Sequence, residues 1–291
     1  FPSIDMPTSP YSIPVSTNTP TPYFVSESTA DDPASGPTGA LTTRKTTLTA
    51  KKFFAHVQLS TELDEDSIIP ALPLIRTKFA RSLSDAVEDC LVNGDTASPH
   101  MDNDTTLATS VRKAFLGLRA IAVDQSYTTA LTTLNAETLG DMRANMGKYG
   151  VNPRDLVMIT GPKGYQRLLR LKDSSGNQIV MTLDKLGSQA VAITGSLAKY
   201  DGIDILVSEY MREDLNANGI YDATTGNTAI IFAFKPGFIL GNRRKITLKT
   251  WENIRTDQIV VVATCRHDFQ DAHDKTVERI VEMGRDVALT N

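Results

Sequence analysis

The chain has 291 residues and a formal net charge of −4; 41% of its residues are hydrophobic and 22% charged. That usage is close to ordinary folded proteins and allows one large or two modest domains around a sizeable core. It excludes a helical membrane span, since no run approaches 18 apolar residues, and the acidic balance argues against tight binding to nucleic-acid phosphates.

Residues 1–40 hold eight of the fourteen prolines, together with Asp5, Glu27, Asp31 and Asp32 but no Lys or Arg. Proline lacks an amide donor and pushes its predecessor toward extended conformations, so this segment forms neither a helix nor a central strand by itself. Its composition fits a disordered tail. Ile4, Tyr11, Ile13, Val15, Tyr23, Phe24 and Val25 fit instead an extended arm lying on a neighbouring surface. Phe1 suggests a processing site or a removed upstream segment, and no basic-then-apolar signal peptide follows it.

From Phe53 to Ser60 apolar and polar residues alternate, which is the strand signal. Residues 41–50 are Thr-rich, and Arg44, Lys45, Lys51 and Lys52 stand beside them; with Gly36, Pro37 and Gly39 as punctuation, a long two-stranded excursion is expected. A lone hairpin is marginal in water, so it should rest on something else. Ile68, Leu72, Ile75, Phe79, Leu83, Ala86 and Cys90 then keep one apolar stripe, predicting a helix over residues 73–92, closed by Asn93-Gly94-Asp95. Glu62, Glu65 and Asp66 precede it, where acidic groups favour a helix start.

Val111, Phe115, Leu118 and Ile121 suggest a second helix, and Asn135 caps a third that carries Leu139, Met142 and Met146 and ends before Gly150. Residues 156–159 read as a buried strand and Pro162 as the start of a further helix. More strands are expected at 203–207, 229–234, 238–240, 245–251 and 258–265. The fold class is therefore α+β, with no internal repeat. Cys90 and Cys265 lie in apolar stretches and are too few for a disulfide framework, which suits a reducing compartment.

Candidate chemistry is sparse. Asp214, Asn216, Asn218 and Asp222, with Gly219 at the sixth position, follow calcium-loop spacing, but the twelfth position is Thr225 instead of Glu. The same residues also read as a polar turn between strands. His267 and His273 are six apart and do not share a helix face as the pair of a zinc protease does. No phosphate loop or Gly-x-Ser-x-Gly elbow occurs. Arg243, Arg244, Lys245 and Lys249 alternate with Ile246, Leu248 and Trp251, as either a weak DNA contact or one polar face of a strand.

The order of these parts resembles the major capsid proteins of tailed bacteriophages, whose fold is shared with encapsulin compartments and the herpesvirus capsid floor. The resemblance is carried by residues 57–67, leading through the long helix to Leu91-Val92-Asn93-Gly94-Asp95. Residues 158–165, Phe234-Lys235-Pro236-Gly237-Phe238 and residues 257–262 also carry it. It implies an N-terminal arm (1–36), an extended β-loop (37–61), a peripheral domain with a spine helix (62–124 and 251–291) and an axial domain (125–250). It further implies hexamers and pentamers in an icosahedral virion shell around double-stranded DNA, assembled in a bacterial cytoplasm. Tyr11, Tyr23, Phe24, Arg44, Lys45, Lys51, Lys52, Phe53, Glu62, Glu65 and Asp66 are the residues expected to touch neighbouring subunits.

Implied partners are other copies of the chain, weakly held DNA, and decoration, portal and scaffolding proteins, with no membrane. No cofactor is expected beyond the calcium-loop candidate, and no catalytic residue is assigned. Some such shells join a loop lysine to a neighbour's asparagine, which would involve Lys45, Lys51 or Lys52 and Asn253. Many relatives lose an N-terminal scaffolding segment to a protease, which would account for Phe1. The alternatives are an encapsulin-like compartment and a calcium- or metal-dependent enzyme.

Overall fold

Residues 1–16, 43–60, 71–172, 175–182, 197–253 and 257–289 are described by the computed structural model. Alternation between residues 51 and 60 produces the expected strand, β4 (Lys51–Ser60), at one edge of a four-stranded sheet. The order of that sheet is β1 (Ser3–Asp5), β11 (Phe238–Asn253), β12 (Gln258–Asp271) and β4. Phe53 is buried and Ala55 and Leu59 are half-buried on one face of β4, and the long helix α1 (Ala71–Asn93) lies over that face. Phe79, Leu83 and Cys90 of α1 enter one cluster with Phe53, Val261, Ala263 and Cys265. Pro73 sits in the first turn, where its missing N–H has no intrahelical partner to lose.

The expected hairpin between residues 41–50 and 53–60 is corrected. Strand β3 (Thr43–Leu48) pairs instead with β2 (Tyr11–Ser16), antiparallel from Tyr11↔Leu48 to Ser16↔Thr43. Between β3 and β4 the backbone is pinned elsewhere: Thr49 N donates to Asp268 Oδ2 at 2.5 Å and Ala50 N to Ser9 Oγ at 3.1 Å. Those bonds turn the chain from one sheet into the next. Pro14 is tolerated because the β2–β3 ribbon is two-stranded and offers it an edge. The proline-rich start is thus partly structured on its own chain: β1 runs parallel to β11, and Met6, Leu48 and Ala50 bury together against Tyr11, Ile13 and Ile239.

A second correction concerns residues 111–121. They form a 3₁₀ turn, Val111–Lys113, and then a separate helix α2 (Leu118–Asp124). Gly117 interrupts them by meeting the end of α1. Its N donates to Gly94 O at 2.8 Å, and a Cβ on it would lie 2.6 Å from Gly94 N and 2.7 Å from Cys90 O. Backbone thus packs directly on backbone at this point, which only glycine permits.

The second sheet has seven strands, in the order β5 (Thr128–Ala130), β13 (Val281–Ala288), β10 (Asn227–Phe234), β6 (Leu156–Thr160), β9 (Ile203–Val207), β8 (Ala198–Tyr200) and β7 (Met181–Thr182). Every residue of β6 is buried, as its unbroken apolar run requires when both faces are covered. Helices α3 (Ala136–Asn145) and α4 (Pro162–Leu169) cover one face through Leu139, Met142 and Leu168. The opposite face, with Val157, Ile159, Ile231 and Ala233, joins the cluster of α1 and the four-stranded sheet. The Asn135 cap is reciprocal with Thr138, as a capping box. The residue that turns the chain after α3 is Gly147, at φ +55, and Gly150 lies one short 3₁₀ turn further on.

Residues 238–240 and 245–251 merge into the single strand β11, which bulges twice against β12 between Asn242 and Thr247. Strand β13, not foreseen, joins the seven-stranded sheet beside β10, and its Val281 and Met283 enter the cluster that holds Phe79, Leu83 and Cys90 of the spine. Gly117→Ala should lower stability by roughly 1–3 kcal/mol, the cost of overpacking a closed contact. Chemical denaturation checks it, and an unchanged midpoint would contradict the backbone contact.

Candidate assembly surfaces and the joint behind them

Helix α2 is largely apolar; Asp124 ends it, and the charge inside it, Arg119, is fully buried. A buried cation requires partners. Arg119 donates to Asn93 Oδ1 at the end of α1, to Asp102 Oδ1 in the loop after it, and to Gly219 O at 3.2 Å. Asp102 Oδ1 also accepts from Tyr221 N at 3.0 Å, and Asn93 Nδ2 donates to Tyr210 O at 2.6 Å and Asp89 Oδ1 at 2.8 Å. The buried Asp95 orders the intervening loop by accepting from Ala97 N and Met101 N at 2.8 and 2.7 Å. Burial pulls the Arg119 pKa below its ordinary value, against the opposing pull of Asp102.

Around this centre lie two forked pairs. Arg112 Nε donates to both oxygens of Asp89 at 3.1 and 2.9 Å. Arg212 grips Asp214 through Nε and Nη2 at 2.8 and 2.7 Å, reaches Asp104 at 2.8 Å, and stacks over Tyr221 at 4.1 Å. Burial opposes the charge on Arg212, but its bonds to Asp214 and Asp104 hold its pKa above the ordinary value. The Arg212 hydrogen bonds hold Asp214 below the usual aspartate range. The network joins α1 and α2 to the segment that runs from β9 to β10. It is the joint between the two sheets' territories.

The calcium-loop candidates fall in this joint and are engaged by the chain itself. Asp214 holds Arg212; Asn216 Oδ1 accepts from Asn218 N at 2.8 Å and Ile220 N at 3.2 Å. Asn218 Oδ1 accepts from Arg285 at 3.1 Å, and Asp222 accepts from Thr224 and Thr225. Gly219, at φ +77, makes the turn. These contacts are those of a polar turn. Among the described residues no three His, Cys, Asp or Glu side chains are grouped to hold a metal. His267 meets Asn242 at 2.9 Å and His273 meets Glu278 at 3.0 Å, in different places.

Two of the expected subunit contacts are engaged within the chain itself. Phe53 lies inside the core, edge-on to Phe115 at 6.1 Å, because its side of β4 faces α1. Arg44 is clamped to its own chain by Asp271, Asp274 at 3.6 Å and His273 O at 3.3 Å, which fixes the ribbon's base to the end of β12. Tyr11 is half-buried against the ribbon's own small core. Lys45, Lys51 and Lys52 are exposed. Tyr23, Phe24, Glu62, Glu65 and Asp66 lie outside the described residues. Within one chain, Lys51 pairs opposite His267 and Asn253 opposite Gln258, so they stand about 30 Å apart along β12. Burial pushes the Cys90 thiol up to about 12 and the Cys265 thiol up to about 11.

The phage capsid family matches residues 4–281. This chain belongs to the phage capsid family. A capsid protein is a component of the virion. The major capsid protein of Escherichia phage T5 is 24% identical over 202 residues, a match covering 69% of this chain but 38% of that protein. A solved chain of Microbacterium phage Oxtober96 superposes with a TM-score of 0.70 at 15% identity, over 98% of this chain and 88% of its own. The capsid of a native GTA particle gives 0.67 at 12%, over 99% and 88%. A chain of Mycobacterium phage Adephagia gives 0.65 at 15%, over 100% and 89%. At these identities the structures show a shared fold. The matches favour a phage capsid protein over the encapsulin and metal-enzyme alternatives.

For this capsid-family joint, Arg119→Met should cost about 3–5 kcal/mol, since it strips a buried carboxylate of its partner. Urea denaturation of the purified subunit checks this. The depressed Asp214 pKa stabilises the fold above the unfolded value, and that contribution is lost as pH falls through the folded one. Asp214→Asn should therefore make stability less steeply dependent on pH below about 4. Melting temperatures at pH 3 and pH 6 measure it.

Proposed function

We propose that the chain is a major capsid protein whose copies associate as hexamers and pentamers into an icosahedral shell around double-stranded DNA. The family match over nearly the whole chain carries this reading. The role is structural, not enzymatic. A subunit whose two sheets share one core and one buried ionic joint is a stiff wedge, and stiffness suits a tile that must repeat at one angle. Projecting parts supply the ties between tiles. Each tie buries area the free subunit leaves in water, at roughly 25 cal/mol per Å² before ordering costs.

The DNA is held weakly, as the net charge of −4 suits in a container that later releases its contents. Portal, scaffolding and decoration proteins are the further partners this role entails. The arm (1–36) and extended loop (37–61) of one subunit reach its neighbours. Negative-stain microscopy of the purified chain should show closed shells tens of nanometres wide. A protein that stays monomeric under all assembly conditions would sink the proposal.

A further inference from the structure

The loop that follows α1 hides two of its side chains. Residues 96–105 are otherwise exposed or half-buried, but His100 is 6% exposed and Asp102 is fully buried. The two are bonded: Asp102 N donates to His100 Nδ1 at 2.9 Å. A backbone N–H can only donate, so this ring nitrogen carries a lone pair and the hydrogen of the neutral ring sits on Nε2. Nε2 meets no acceptor among the described residues. Asp102 is the carboxylate on which Arg119 depends, and its Oδ1 also holds Tyr221 N at 3.0 Å. His100 therefore braces the backbone of the residue at the centre of the joint.

Histidine is the side chain whose charge ordinarily changes between pH 5 and 8. A proton on Nδ1 would set donor against donor, so protonation of His100 and its bond to Asp102 exclude each other. It would also add a cation to a buried joint that already contains the guanidinium groups of Arg112, Arg119 and Arg212. The carboxylates on the surrounding elements are committed elsewhere. Asp89 of α1 holds Arg112, Asp102 holds Arg119, and Asp104 and Asp214 hold Arg212. Asp95 accepts from the amides of Ala97 and Met101, and Asp124 at the end of α2 lies within electrostatic reach of Asp95 and Lys275. We propose that His100 is an acid-sensitive latch on the joint. Neutral, it keeps Asp102 within reach of Arg119; protonated, it releases the loop 95–105. The latch lies within one subunit and does not depend on the shell reading.

Urea denaturation of the unassembled full-length chain at pH 7.5 and pH 5.5 tests it. The unfolded chain takes a proton on His100 that the latched fold refuses. The unfolded state therefore binds more protons in this window, and stability falls as pH falls. One such group lowers the folding equilibrium constant about tenfold between those two pH values. His100→Asn carries no titratable group, and its side-chain oxygen accepts from the amide two residues on, as in an Asx turn. That variant should lose the tenfold dependence. His56, His267 and His273 are present in both proteins and cancel in the comparison. A His100→Asn chain as acid-sensitive as the wild type overturns the proposal. Should the variant fail to fold, NMR of the wild-type chain decides: the Asp102 amide should shift as the His100 ring titrates, and a ring that titrates with that amide unmoved overturns the latch as well.

Discussion

The ion pair between Arg119 and Asp102 is the constraint on which the rest of this subunit depends. Both side chains are fully excluded from water, so neither charge is tolerable without the other. Their additional partners are Asn93 at the end of α1, the carbonyl of Gly219 in its turn and the backbone amide of Tyr221. Satisfying one guanidinium therefore fixes how the spine helix meets the seven-stranded sheet. Apolar packing alone is non-directional and would leave that angle softer. The contact of Gly94 with Gly117 brings α2 close enough for Arg119 to reach.

From this joint the subunit grows outward with decreasing support. The spine is buried along its C-terminal half and exposed toward its start, apart from the stripe that meets β4 and β12. The β2–β3 ribbon holds on by a small core of Met6, Leu48 and Ala50 and by the grip of Asp271 on Arg44. That gradient matches what a shell tile needs: a rigid centre that sets geometry and peripheral segments that gain their full burial only in company.

Much of the fold could be read from local pattern. The spine, the strand after residue 50, the Asn135 cap and the buried strand before Pro162 all follow periodicities and capping rules that act within a few residues. Strand pairing could not be read this way. Residues 43–48 have the composition of a strand but no mark that their partner is Tyr11–Ser16 and not the strand that follows. The site was less legible still. Arg119 carried a usable signal, a charge inside the otherwise apolar run 118–123, whereas Asp102 and Arg212 look like ordinary surface residues in polar loops.

By itself, then, the sequence determined many of the element types, the apolar stripe of the spine, and the order of motifs that resembles capsid proteins, because each depends on spacing along the chain. The tertiary structure alone decided which acid meets Arg119, that Phe53 turns inward, and that residues 43–48 pair with Tyr11–Ser16. Ion pairs and sheet registers join residues far apart in the chain, and no local period encodes which two will meet.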